Sequence, residues 1–114
     1  MIAIYGIPNC DTMKKARAWL DQHGVGYSFH DFKKEGLEAA LLDGWLAQVG
    51  WETLLNRRGM MWRKLDDAIK ENIDADSARQ VMLETPSIIK RPVLVKDGKV
   101  FVGFNDANYK EIFA

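Results

Sequence analysis

The chain contains a single cysteine, Cys10, and its setting limits the sulfur chemistry open to it. The residue follows a short apolar run, Ile2-Ala3-Ile4-Tyr5, closed by Gly6 and Pro8. It precedes a stretch of helical spacing, so it stands where a strand hands over to a helix. Unpaired amide groups and the macrodipole at a helix start favour negative charge. A thiol placed there ionises below the free value of about 8.5. Lys14 and Lys15, one turn on, add positive potential, and Asp11 opposes it. A free cysteine is more often a buried structural residue. The polar neighbours Asn9, Asp11 and Thr12 favour a reactive one. Met13 occupies the place where a C-x-x-C dithiol keeps its second sulfur. A disulfide or sulfenate at Cys10 must therefore be resolved by an outside thiol, most simply glutathione or a redoxin.

The cationic residues offer partners for such a thiolate. Arg57-Arg58, Arg63-Lys64 and Lys90-Arg91 are the clusters, and the ordinary fate of an arginine is a solvated side chain. Arg91 differs because Pro92 begins an apolar run. If the first and third strands adjoin, the turn before Pro92 lies next to the turn after the first strand. Arg91 then sits beside Cys10 and can hold a thiolate, an oxyanion or a carboxylate. His23 and His30 have helix-end and strand settings and read as structural. Two histidines and one thiol match no zinc spacing, so no metal site is expected.

The elements that must position these residues follow from periodicity. Met13, Ala16 and Leu20 form one face of the helix after Cys10, which Gly24 and Gly26 end. Tyr27 to Phe32 alternates with period two and predicts a second strand parallel to the first. Leu37, Leu41, Leu42, Trp45, Leu46 and Val49 carry the strongest amphipathic pattern and open a helical insert over roughly 37–86. Within it, residues 52–73 suggest short helices and turns. Ser77-Ala78-Arg79-Gln80 has the form of a capping box, and Thr85-Pro86 ends the helix it opens. Two strands, Pro92–Lys96 and Lys99–Val102, flank an Asp97-Gly98 turn, and Asn105-Asp106 caps a last helix. The order is βαβ, helical insert, ββα, an α/β chain of one domain spanning 1–114.

Composition narrows the function classes. An apolar fraction of 47% in 114 residues is enough for a core without disulfides or metal. Sixteen basic and sixteen acidic residues cancel, which removes the basic footprint of a nucleic-acid binder. No apolar run approaches the roughly 20 residues that cross a bilayer. The N-terminus lacks a basic stretch before its apolar residues, and the expectation is a cytoplasmic, monomeric protein with no membrane partner.

Four segments taken together, Gly6-Ile7-Pro8-Asn9-Cys10-Asp11-Thr12, Leu54-Leu55-Asn56-Arg57-Arg58, Lys90-Arg91-Pro92-Val93-Leu94-Val95 and Val102-Gly103-Phe104, resemble the arsenate-reductase-related (ArsC/Spx) family, closest to its YffB-type branch. The resemblance covers essentially the whole chain. It implies a thioredoxin-like fold with a mixed four-stranded sheet, and a cis peptide between Arg91 and Pro92 facing the cysteine. It further implies that backbone beside Pro92 and Val93 docks glutathione, that Cys10 is the nucleophile, and that Arg91 is its cation. Asn9, Thr12 and Lys14 line the same site, and Arg57 matches a mid-chain arginine, with Asn56 and Arg58 as neighbouring alternatives. Relative to the arsenate reductases, Gly6 replaces a histidine, Lys14 an arginine and Phe104 a further arginine. Relative to Spx proteins, Met13 removes the second cysteine of a redox switch.

These readings give three expectations. The leading one is a glutathione-dependent thiol–disulfide reductase acting on a disulfide or oxidised thiol, with glutathione as co-substrate and no bound cofactor. The alternatives are a glutathione-coupled arsenate reductase and a non-enzymatic module that binds RNA polymerase.

Overall fold

A computed structural model describes all residues, 1–114. The chain forms two compact units, one of residues 1–35 with 91–114 and the other of residues 36–90. In the first unit the order is β1 (Ile2–Gly6), α1 (Asp11–Gln22), β2 (Ser28–Asp31) and α2 (Phe32–Glu35). The same unit resumes with β3 (Val93–Lys96), β4 (Lys99–Val102) and α8 (Asp106–Ile112). The second unit holds α3 (Ala39–Val49), α4 (Trp51–Leu54), α5 (Met60–Arg63), α6 (Asp67–Glu71), α7 (Ala75–Glu84) and a 3-10 turn, Pro86–Ile88. No helix is long and apolar enough to cross a membrane.

The sheet of the first unit is mixed, in the order β2-β1-β3-β4. β1 runs parallel to β2 and antiparallel to β3, and β3 pairs antiparallel with β4. Register fixes which side chains share a face. Ile4 lies opposite Phe29 and Leu94, and Leu94 opposite Phe101, so these four line one face. That face packs against Met13, Ala16, Trp19 and Leu20 of α1 and Tyr109 of α8 in one apolar cluster. Burial of each large side chain here contributes about 1.5–3 kcal/mol. The hairpin turn is the kind that Asp-Gly favours, with positive φ at Asp97 (52°) and Gly98 (83°). Asn105 caps α8 by accepting a hydrogen bond from the Asn108 amide at 2.8 Å.

Two boundaries depart from the sequence expectation. β2 stops at Asp31, because the Asp31 carboxylate accepts the Lys33 amide at 2.8 Å and turns the chain, leaving Phe32 buried at the start of α2. α7 begins three residues early. Its cap is Asp74, which accepts the Ser77 amide at 2.9 Å while Ser77 Oγ accepts the Asp74 amide at 2.9 Å. Ser77 is thus the return partner of the box rather than its first member.

The second unit has its own core, drawn from Leu42, Trp45, Leu54, Leu55, Ala78, Val81, Met82, Ile88 and Ile89. A bridge between Leu55 and Ile89 closes it, with Asn56 N–H donating to Ile88 O at 3.0 Å and Lys90 N–H to Leu54 O at 2.7 Å. Arg79 grips Asp43 with two hydrogen bonds, 2.7 and 3.1 Å, and ties α7 to α3. That grip holds the Asp43 carboxyl below its usual range.

Tyr109 carries a testable oddity. Its ring is buried and its hydroxyl has no hydrogen-bond partner, so burial pushes its ionisation upward. Tyr109→Phe removes an unsatisfied polar group and should stabilise the fold by about 1 kcal/mol. Leu94→Ala, deleting buried contacts between α1 and the sheet, should cost about 2–5 kcal/mol. Urea denaturation measures both, and a marked loss on Tyr109→Phe would contradict the reading of the hydroxyl.

Candidate active site

Cys10 is the N-cap of α1, with extended backbone (φ −122°, ψ 127°), and its carbonyl accepts the Lys14 amide at 3.0 Å. The N-cap geometry aims the side chain at the amides of the second and third helical residues, here Thr12 and Met13. The sulfur makes no side-chain capping hydrogen bond, and the Met13 and Thr12 amides act on it by favouring its charged form. The residue is half-buried, not sealed within the core.

Two opposing effects set the thiol's ionisation. Partial burial, the largest single influence, pushes it up. Against this act the Met13 amide, the hydrogen bond and charge of the Arg91 guanidinium, and the Thr12 amide. Together they outweigh burial and hold the Cys10 thiol below its ordinary value. The guanidinium arrives because β1 and β3 pair antiparallel, with Tyr5 opposite Val93, which brings the residues before β3 to the turn after β1. The Arg91–Pro92 peptide is cis.

The other expected residues separate into distinct settings. Thr12 contributes its amide, Lys14 is exposed on the first turns of α1, and Asn9 is exposed in the turn before the cysteine. Pro92 is buried. Val93 is fully buried between Tyr5 and Val102, so only its main chain is available to a ligand. Arg57 lies in the second unit, its guanidinium 4.9 Å over the Trp51 ring and 3.6 Å from the Glu52 carboxylate. Asn56 accepts the Arg58 amide at 3.1 Å and shapes that turn. His23 stacks on Trp19 at 3.7 Å. His30 lies between Ser28 (3.1 Å) and Glu35 (2.9 Å) and stacks on Tyr5.

One contributor was missed by the sequence reading. Met13 entered it as an absent thiol and as part of the helix's apolar face, not for its amide, which acts on the sulfur; taking Cys10 as the N-cap would have singled out positions 12 and 13. The Met13 side chain is fully buried against Gly6, where an added Cβ would meet its Sδ at 2.5 Å. Phe104 entered the sequence reading as the residue standing where the arsenate reductases keep an arginine. It packs on the same core cluster as Cys10 and is held edge-on by Tyr109, with ring centroids 4.6 Å apart. Gly103, at φ 83°, donates its N–H to Pro92 O at 2.8 Å and fastens this segment to the one that carries Arg91.

The profile of the ArsC family matches residues 5–112. The chain belongs to that family. Its backbone is similar to a YFFB protein of solved structure, 49% identical with a TM-score of 0.95, each chain covered in full. It is also similar to an arsenate reductase (ArsC) related protein from Brucella melitensis, 58% identical with a TM-score of 0.81, over 98% of this chain and 93% of that one. The global transcriptional regulator Spx of Enterococcus faecalis is 27% identical over 108 residues, 93% of this chain and 81% of that protein. The thioredoxin-like architecture expected from the four segments is the one this ArsC-family chain adopts.

Thiol alkylation as a function of pH tests the electrostatics. A thiol held low reacts as thiolate at pH values where the unfolded chain's thiol, near 8.5, is still protonated. Arg91→Met should slow iodoacetamide labelling at pH 7 and leave it unchanged above pH ~10, where every thiol is ionised. The linkage has the same sign. Ionised Cys10 favours the folded state above the unfolded-state value, and that contribution fades as pH falls through the lower folded-state value. Equal labelling profiles for native, unfolded and Arg91→Met protein would contradict this account.

Proposed function

We propose that this ArsC-family chain is a thiol–disulfide oxidoreductase that works through Cys10 alone and takes its electrons from glutathione. The observation that carries the reading is the Arg91 guanidinium on a half-exposed cysteine at a helix start, in a chain with no second thiol. The Cys10 thiolate attacks one sulfur of a disulfide, forms a mixed disulfide and expels the other sulfur as thiolate. A glutathione thiolate then attacks the mixed disulfide, frees Cys10 as thiolate and leaves with the substrate's sulfur. A second glutathione reduces that released disulfide to the thiol and gives oxidised glutathione.

Main chain at Pro92 and Val93, beside the cysteine, is the proposed dock for the peptide-like backbone of glutathione. The exposed Lys14 ammonium and Asn9 amide are the proposed contacts for its carboxylates. Arg91 keeps the sulfur ionised at rest and steadies the charge that returns to it when glutathione resolves the mixed disulfide. The proposed setting is the cytoplasm, and the proposed working form a monomer, because glutathione supplies the thiol a partner subunit would otherwise have to bring.

A second reading is favoured by the description of the Brucella relative as arsenate reductase related. Arsenate would meet the same thiolate, then two electrons from two glutathione thiols would yield arsenite and oxidised glutathione. Phe104 weighs against it, since an aromatic ring offers no hydrogen bond to an oxyanion.

Mass spectrometry after exposure to oxidised glutathione tests the leading reading. Wild-type protein should gain one glutathione on Cys10 and lose it again in reduced glutathione. In a coupled assay with hydroxyethyl disulfide, Cys10→Ser should abolish turnover, and Arg91→Met should lower it about 10- to 100-fold. An inert thiol would remove the enzyme reading. Binding of RNA polymerase that survives Cys10→Ser would then put the interaction reading first. Arsenite production at a rate exceeding disulfide turnover would put arsenate reduction first.

A further inference from the structure

A second set of polar side chains lies outside the Cys10 site, on β2 and the short helix after it. Residues two apart on a strand share a face, so Ser28 and His30 meet there. The Ser28 hydroxyl is 3.1 Å from His30 Nε2, and His30 Nδ1 is 2.9 Å from Glu35 Oε1. An ionised carboxylate only accepts hydrogen bonds, so in the neutral ring Nδ1 carries the proton and donates it. Nε2 is then the acceptor, and the serine hydroxyl donates to it. The bond to His30 also holds the Glu35 carboxyl below its usual range. The order is hydroxyl, imidazole, carboxylate. In that arrangement the imidazole can take the hydroxyl proton while the carboxylate fixes the ring's tautomer.

Ring and carboxylate are both held in place. Tyr5 stacks on the imidazole, with centroids 4.7 Å apart and planes 18° from parallel, and the Asp31 amide donates to Glu35 Oε2 at 3.3 Å. Ser28 itself is exposed, so a small molecule reaches its oxygen. β2 is an edge strand. Asp31 turns its N–H outward to Glu35, and strand alternation puts the Phe29 N–H on the same open edge, one residue past Ser28. A donor there can receive charge that develops on a carbonyl oxygen. On the sheet face that carries Ser28, Ala3 lies opposite it and Val95 opposite Ala3, both half-buried. Neighbouring strands are about 4.8 Å apart, so these two apolar residues extend about 10 Å from the serine, the span of an acyl chain of a few carbons.

From the hydrogen-bonded chain Ser28–His30–Glu35 we infer that this protein carries a second reactive centre, which hydrolyses short-chain carboxylic esters through Ser28. It goes beyond the Cys10 reading and uses none of its groups. In the first step Ser28 Oγ bonds to the ester carbonyl carbon and gives its proton to His30 Nε2. The ester C–O bond breaks, and the leaving oxygen takes that proton and departs as the alcohol. A water molecule then attacks the acyl-serine and passes a proton to Nε2. The acyl–serine bond breaks, the proton returns to Ser28 Oγ, and the carboxylic acid leaves. No electrons are exchanged with an outside donor. Ser28 and His30 are the reacting groups, and Glu35 is the positioning residue that keeps the acceptor nitrogen toward the serine.

The experiment uses the full chain with Cys10 first capped by iodoacetamide, so that the thiol does not consume the ester. A fluorophosphonate probe should attach to Ser28, and mass spectrometry should locate the adduct there. This measurement needs no variant, so it stands even where a substitution disturbs β2. The capped protein should turn over p-nitrophenyl butyrate repeatedly, at least about tenfold faster than an equal concentration of N-acetylhistidine, and Ser28→Ala and His30→Gln should each remove that excess. In Glu35→Gln the amide can present an N–H to Nδ1 and turn the ring's acceptor away from Ser28, so kcat should fall while KM stays. Absence of a Ser28 adduct overturns the inference. Hydrolysis that survives Ser28→Ala overturns it too, since His30 would then be the nucleophile by itself. An unchanged kcat in Glu35→Gln overturns the positioning part. Ester turnover with Cys10 capped and glutathione adduct formation with Cys10 free fail independently, so the loss of one reading leaves the other standing.

Discussion

The pairing of β1 with β3 is the constraint on which the site depends. Neither partner of the Cys10–Arg91 contact is near the other in sequence, and no local motif joins them. The antiparallel ladder that sets Tyr5 opposite Val93 does, because it places the end of β1 and the beginning of β3 at one edge of the sheet. The guanidinium and the sulfur lie just beyond those ends. Ionisation of Cys10 is then a contest between burial, which opposes charge, and three groups that favour it, two of them delivered by α1 and one by the β3 approach. Loosening of the ladder would remove the cation and leave burial acting against only the amides.

The same ladder explains how much was readable beforehand. The strand before Cys10, the helix after it, the Asp97-Gly98 hairpin and the Asn105 cap all follow from signals within a few residues, and each appears as expected. The adjacency of Arg91 needed one further step, that the first and third strands adjoin, and local pattern could state it only as a condition. Misreadings arose where two local signals competed. Both Asp74 and Ser77 are good caps, and a serine three residues after an aspartate serves equally as the box's second member. Phe32 fits an alternating strand, yet a carboxylate-to-amide turn at Asp31 ends the strand first. The short helices over 51–71, starting after Gly50 and broken again at Gly59, are too brief for periodicity to speak. For Arg57 the sequence reports a cation, but its stacking over Trp51 depends on a side-chain arrangement that spacing does not encode.

Aromatic packing gives the first unit a second function for its core. Trp19, Tyr109, Phe104 and Phe113 meet edge-on or tilted at centroid separations of 4.6–6.0 Å, a geometry that holds rings in orientation as well as in place. The N–H of Gly103, next to Phe104 in sequence, bonds to Pro92 O at 2.8 Å, so the chain leading into this aromatic set is fastened to the segment that follows Arg91. The unpartnered Tyr109 hydroxyl is the cost of using a tyrosine in that set.

Met13, which stands where a dithiol motif would keep its second sulfur, is part of the packing around β1. Its thioether occupies the room above Gly6, where even a single added carbon would come within 2.5 Å of the sulfur. A side chain at position 6 would therefore displace the buried Met13 thioether, which must take another rotamer or move with α1. Any shift of α1 would move the Met13 and Thr12 amides relative to Cys10, and those amides are two of the three groups that keep the thiol ionised. A bare glycine and a buried thioether thus pack together at the start of the helix whose Met13 and Thr12 amides favour the Cys10 thiolate.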